Sequence, residues 1–232
     1  MKINFKRFIQ IAGVIDQVES EMLAECGVEF LGFPLRLPVN KEDHTEEEAA
    51  KIISRLSKTV QPILITYLNT HKEIADFAAQ LNVQCIQLHG NISVNELRLL
   101  KQNFPQLYII KSLIVRENNF AQLKKEIILL EPFVDAFITD TFDPDTGATG
   151  ATGKTHNWDV SKEIVESANR PIILAGGLNP SNVKEAILKV KPSGVDAHTG
   201  VEDVEGRKNK KLVEEFLFNA KEAFKLIDKE KI

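Results

Sequence analysis

Two glycine-bearing segments and one aspartate carry most of the chemistry that this chain offers to a reader. Ala175-Gly176-Gly177-Leu178-Asn179-Pro180 and Asp196-Ala197-His198-Thr199-Gly200-Val201-Glu202 each follow or end a short apolar run. Backbone without a Cβ can approach an anion closely, and its N–H groups can donate to phosphate oxygens. Glycine is also the default residue of tight strand-to-helix turns. The two segments together favour phosphate, with Gly176, Gly177, Thr199 and Gly200 as its ligands.

Asp140 ends the run Phe137-Ile138-Thr139-Asp140. A carboxylate at the top of an apolar strand is partly desolvated, which raises its pKa and suits it to general-acid work. The alternative is an aspartate that caps a loop. His198 can act as a base, bind phosphate or sit exposed on its loop. The stretch from Gly147 to Thr155 is no P-loop: five residues separate Gly147 from Gly153-Lys154, and that motif needs four. A long loop or lid over the site is the expectation there.

These residues need a scaffold, and the chain alternates short apolar runs with segments of helical period. The expected strands are Phe8–Ala12, Glu29–Phe33, Ile63–Thr66, Gln84–Leu88, Tyr108–Lys111, Ala136–Thr139, Pro171–Ala175 and Gly194–Ala197. The helices between and after them are expected over Val18–Cys26, Thr45–Leu56, His71–Leu81, Ser93–Asn103, Phe120–Leu130, Val160–Ala168, Pro180–Val190 and Lys210–Ile227. Thr45 and Glu48 have the spacing of a capping box, while Asn179 and Pro180 suit the cap and first turn of the seventh helix. Nearly continuous apolar strands are those of a parallel sheet buried on both faces. Eight strand–helix units in 232 residues predict an α/β fold, a single (β/α)8 TIM barrel spanning residues 1–232. A doubly wound open sheet is the rival. In a barrel the reacting groups gather at the C-terminal strand ends, which brings Arg36, His89, Lys111, Asp140, Asp196 and both glycine segments to one face.

Composition narrows the partners. A net charge of −4 without a basic stripe argues against nucleic acid, and apolar runs of a few residues argue against a membrane span. The basic run Arg207-Lys208-Asn209-Lys210-Lys211 reads as the border of a solvated helix. Cys26 and Cys85 read as small core residues in a reducing cytoplasm. No secretory leader is expected from the first residues.

The chain resembles the phosphoribosylanthranilate isomerase family over nearly its whole length. The resemblance rests on Leu31-Gly32-Phe33, Ile86-Gln87-Leu88-His89-Gly90, Ile110-Lys111, Thr139-Asp140-Thr141, Thr152-Gly153-Lys154-Thr155 with Trp158, the stretch from Leu174 to Val183, and Gly194-Val195-Asp196 with Thr199-Gly200-Val201-Glu202. It implies an Amadori rearrangement, in which an aminoaldose phosphate opens its ring and becomes an aminoketose phosphate, a step of tryptophan biosynthesis. It further implies that Asp140 is the acid, that Asp196 helps position the substrate, and that no cofactor or metal takes part. Arg36, His89 and Lys111 are assigned to substrate binding, and the protein is expected to be a cytoplasmic monomer or homodimer.

Three departures stand out. Where the family carries a basic cysteine at the end of its first strand, this chain has Gln10-Ile11-Ala12-Gly13, and Ala12 accepts no proton. After the second strand, the family's arginine-bearing stretch is replaced by Pro34-Leu35-Arg36-Leu37-Pro38, with Arg36 or Lys41 as substitutes. At position 198 histidine replaces the family's small serine. The readings that follow are an isomerase with altered catalytic apparatus, an enzyme for another phosphosugar, or a phosphometabolite binder without turnover.

Overall fold

The computed structural model describes residues 3–38, 44–116, 119–141 and 157–229. Its eight strands are β1 Phe8–Ala12, β2 Phe30–Pro34, β3 Gln61–Thr66, β4 Cys85–Leu88, β5 Tyr108–Val115, β6 Ala136–Thr141, β7 Ile172–Leu174 and β8 Gly194–Ala197. All pair in parallel with their sequence neighbours, and β8 pairs with β1 to close the barrel. The helices are α1 Gln17–Glu25, α2 Glu46–Arg55, α3 His71–Gln80, α4 Val94–Asn103, α5 Phe120–Leu130, α6 Trp158–Ser167, α7 Val183–Val190 and α8 Lys210–Lys229. The expected (β/α)8 barrel is therefore the observed one.

Strand alternation divides the core in two. One side chain in two faces inward, so Phe8, Ala12, Ile63, Ile65, Ile110, Ile138, Ile173 and Ala175 form an interior cluster. Their neighbours, including Ile11, Leu64, Leu113 and Leu174, join the helices in the larger outer cluster. Phe5, Phe8 and Phe30 pack ring against ring at the lower end, with centroids 5.6 Å and 4.1 Å apart along the series. Burying an aromatic or branched side chain of this size contributes roughly 1.5–3 kcal/mol. The floor is thus apolar and closed, which leaves the upper end for chemistry.

The helices start where short polar side chains cap them. Asp16, Thr70 and Ser93 each accept the third backbone N–H of their helices, and Thr45 with Glu48 forms the full reciprocal box. The seventh helix corrects the sequence expectation. Its cap is Asn182, and Asn179 instead turns the chain ahead of it by accepting from the backbone and hydroxyl of Ser181. Strand β5 also runs on to Val115, so Lys111 is a mid-strand residue. Cys85 is buried on the interior wall, where burial pushes its thiol pKa up, and Cys26 caps the end of α1 with its thiol free. Among the described residues, no helix is long and apolar enough to cross a membrane.

Candidate active site

A polar chain crosses the barrel interior just below its upper rim. Gln10 on β1 donates from Nε2 to Gln87 Oε1 at 3.0 Å, and Gln87 Nε2 lies 2.7 Å from His89 Nε2. His89 Nδ1 lies 2.9 Å from Asp140 Oδ2 at the end of β6. With the amides so oriented, His89 accepts at Nε2 and carries its hydrogen on Nδ1, donating it to Oδ2 of the Asp140 carboxyl group. Asp140 is 5 % exposed, so a well-aligned donor matters more to it than it would in water.

Asp196 on β8 is in register with Gln10 and faces the same interior. Burial, then the Asp140 charge, push its carboxyl pKa up to about 7; Lys208 and the Gln10 amide oppose them. Its Oδ1 and the Gln10 Oε1 are both buried without a hydrogen-bond partner among the described residues. A proton on Asp196 removes the cost of burying its charge there.

The two glycine segments meet. Gly176 and Gly177 turn the chain with φ of 101° and 62°, and no described residue accepts their N–H groups. Thr199–Val201 forms a single 3-10 turn after β8. Gly200 is pressed so closely on the preceding loop that a Cβ there would lie 1.9 Å from the Leu178 carbonyl oxygen. Only glycine lets these two backbones approach so closely, and their contact joins the two loops.

His198 rises from β8 beside these loops. Its imidazole covers Gly13, where an added Cβ would lie 2.0 Å from Nε2. Nε2 is 3.5 Å from Glu202 Oε1, which also takes the Lys208 ammonium at 2.5 Å. Burial and that ammonium hold the imidazole neutral, with a pKa down to about 4 against the opposing pull of Glu202. The solvated reading of the basic run therefore fails at Lys208. Its side chain has no exposure, because Glu202 neutralises it and Glu19 accepts its backbone N–H at 2.7 Å.

The remaining sequence candidates lie elsewhere. Arg36, with a left-handed φ of 54°, makes a two-point ion pair with Glu46 at 2.8 and 3.1 Å. Its guanidinium also stacks 3.7 Å above the Phe77 ring, between α2 and α3. Lys111 leaves β5 on the helix-facing side, and its ammonium donates to the Ser112 carbonyl at 2.9 Å. Burial holds its pKa down to about 8, with Glu126 and Asp140 opposing. The structure thus brings together His89, Asp140, Asp196, His198 and the four phosphate candidates, and turns the Arg36 and Lys111 head groups to other partners. Lys41 and the stretch from Gly147 to Thr155 lie outside the described residues. Gln10, Gln87, Glu202 and Lys208 were not singled out from sequence. The available signal was a polar residue at an inward position of an apolar strand. No three metal-ligating side chains cluster among the described residues.

Comparison with known proteins identifies the family. Residues 21–219 match the model of the N-(5'phosphoribosyl)anthranilate (PRA) isomerase family. The chain is 36% identical to N-(5'-phosphoribosyl)anthranilate isomerase 2 of Methanosarcina mazei, over 93% of this chain and 95% of that protein. It superimposes on the Pyrococcus furiosus N-(5'-phosphoribosyl)anthranilate isomerase with a TM-score of 0.75, at 28% identity over 93% of this chain and 99% of the other. A phosphoribosyl anthranilate isomerase solved with reduced 1-(o-carboxyphenylamino)-1-deoxyribulose 5-phosphate gives a TM-score of 0.75, at 26% identity over 94% and 99% of the two chains. The chain belongs to the phosphoribosylanthranilate isomerase family, the isomerases of this step in tryptophan biosynthesis.

Proposed function

We propose that this isomerase works at the upper rim of the barrel, with Asp140 as the acid and the joined glycine loops as the phosphate cradle. The observation that carries the reading is the His89–Asp140 pair, 2.9 Å apart, standing at the same rim as the Gly200–Leu178 contact. The phosphate is held by the backbone of Gly176, Gly177, Thr199 and Gly200, which fixes the sugar across the mouth. Asp140 protonates the ring oxygen, the bond from that oxygen to C1 breaks, and the amine nitrogen's lone pair forms the C1=N iminium. Loss of the C2 proton then gives an enaminol. As the C2 hydroxyl loses its proton and C1 gains one, the aminoketose results. His89 orients Asp140, and Asp196 lies beneath the reacting carbons, where it can bond the substrate's polar hydrogens. No metal is needed for any of these proton transfers.

Growth without tryptophan of a strain lacking its own isomerase tests the reading. Expression of the parent chain should restore growth, and the Asp140→Asn variant should not. Failure of both, with soluble protein present, would contradict it.

A further inference from the structure

The proposed reaction needs a group to accept the C2 proton, and Ala12 at the end of β1 cannot. Three titratable side chains of the described residues stand on the interior wall near the rim, His89, Asp140 and Asp196, and a fourth, His198, stands just past the end of β8 against Gly13. Both His89 nitrogens are engaged, one with Gln87 and the other with Asp140. Asp140 is the acid. Asp196 lies one inward position lower, level with Gln10, and its Oδ1 is shut away from solvent. His198 alone is half-buried at the rim itself, with 29% of its side chain exposed.

Its position is the relevant one. Ile11 is in register with Ala197, so Ala12 and His198 follow side by side on adjoining strands. The imidazole reaches over β1 and lies on Gly13, the next residue after Ala12. We infer that His198 is the general base of this enzyme, working from β8 at the place beside Ala12 where β1 supplies none. This rests on the isomerase reading above.

The surroundings fit that task. Glu202 Oε1, 3.5 Å from Nε2, favours the hydrogen on that nitrogen and leaves the Nδ1 lone pair as the acceptor. Lys208, bonded to the same oxygen, fixes Glu202 and keeps the imidazole neutral before substrate arrives. A phosphate held by Thr199 and Gly200 then brings negative charge beside the ring and strengthens it as a base. In the step itself the C2–H bond breaks and its proton joins Nδ1. The bonding pair becomes the C1=C2 double bond, and the C1=N pair returns to nitrogen.

The test compares the parent with His198→Ser, His198→Ser with Ala12→Cys, and His198→Gly assayed with added imidazole. Loss of a general base lowers kcat by ~10²–10⁴-fold. His198→Ser should show that loss with KM changed much less, and thermal unfolding should show that it is folded. A thiol at position 12 should restore much of the rate once the imidazole is gone, and free imidazole should partly restore His198→Gly. An active parent whose His198→Ser variant keeps full rate would overturn the inference while leaving the isomerase reading intact. So would a loss that neither the thiol nor imidazole repairs. An inactive parent would contradict the isomerase reading, and this inference with it.

Discussion

The Gly13 backbone and the His198 imidazole occupy adjoining space, so that one further methyl on Gly13 would fall 2.0 Å from Nε2. Gly13 also has φ of 77°, where side chains are strained. Gly13→Ala should therefore destabilise the protein by ~1–3 kcal/mol. Part of that loss is the clash, and it should shrink when His198 is also changed to Ser. Chemical denaturation of the two single variants and the double gives the coupling. Additive losses would mean that the imidazole does not lie on Gly13.

Asp196 predicts a pH signature in stability. A carboxyl whose folded pKa is raised from 3.8 to about 7 binds its proton more tightly in the native state. Its contribution is fully present below about pH 4 and is lost as pH rises through about 7. Asp196→Asn keeps the size of the side chain and has no charge to bury. The variant should thus gain on the parent as pH rises, by ~4 kcal/mol at about pH 8, with little difference near pH 4. Unfolding midpoints across that range provide the check, and a gap that widens toward acid would contradict the assignment.

The Lys208–Glu202 pair is buried, and removing one partner strands the other. Lys208→Met should cost ~3–5 kcal/mol, whereas Lys208→Met with Glu202→Gln should recover much of it. Equal losses in both would show that Lys208 acts through packing of its carbon stem instead.

Gly200→Ala pushes a methyl into the Leu178 carbonyl, 1.9 Å from the added atom. The two loops must separate, and the amides proposed to hold the phosphate lose their alignment. The expected result is a KM for the phosphorylated substrate raised ~10-fold or more, from ~1.4 kcal/mol of lost binding, with far-ultraviolet circular dichroism unchanged. An unchanged KM would remove this contact from the phosphate cradle.

Much of this was legible in the sequence because it depends on local patterning. The eight strands were read from apolar runs, and the capping box at Thr45 and Glu48 from two residues at fixed spacing. Asn179 misled because asparagine suits both a helix cap and a free-standing turn; Asn182, three residues on, makes the cap. The end of β5 was missed because Ser112 interrupts an apolar run, yet it is an inward position where a hydroxyl can bond the His89 carbonyl at 3.4 Å. For the site, strand ends marked His89, Asp140 and Asp196, but whether a neighbour points inward depends on parity and register. That is why Lys111 and Gln87, both near the upper ends of neighbouring apolar strands, face opposite sides. The burial of Lys208 was not legible at all, since its partners Glu202 and Glu19 come from separate elements and only the closed barrel brings Glu19 to it.

The most direct measurement is turnover of freshly generated phosphoribosylanthranilate by the purified protein, followed as loss of anthranilate-type fluorescence, beside an Asp140→Asn control. Steady turnover by the parent is expected, with a rate lower by ~10²–10⁴-fold in the control. Equal rates would remove Asp140 from the chemistry, and no turnover by the folded parent would contradict the account at its centre.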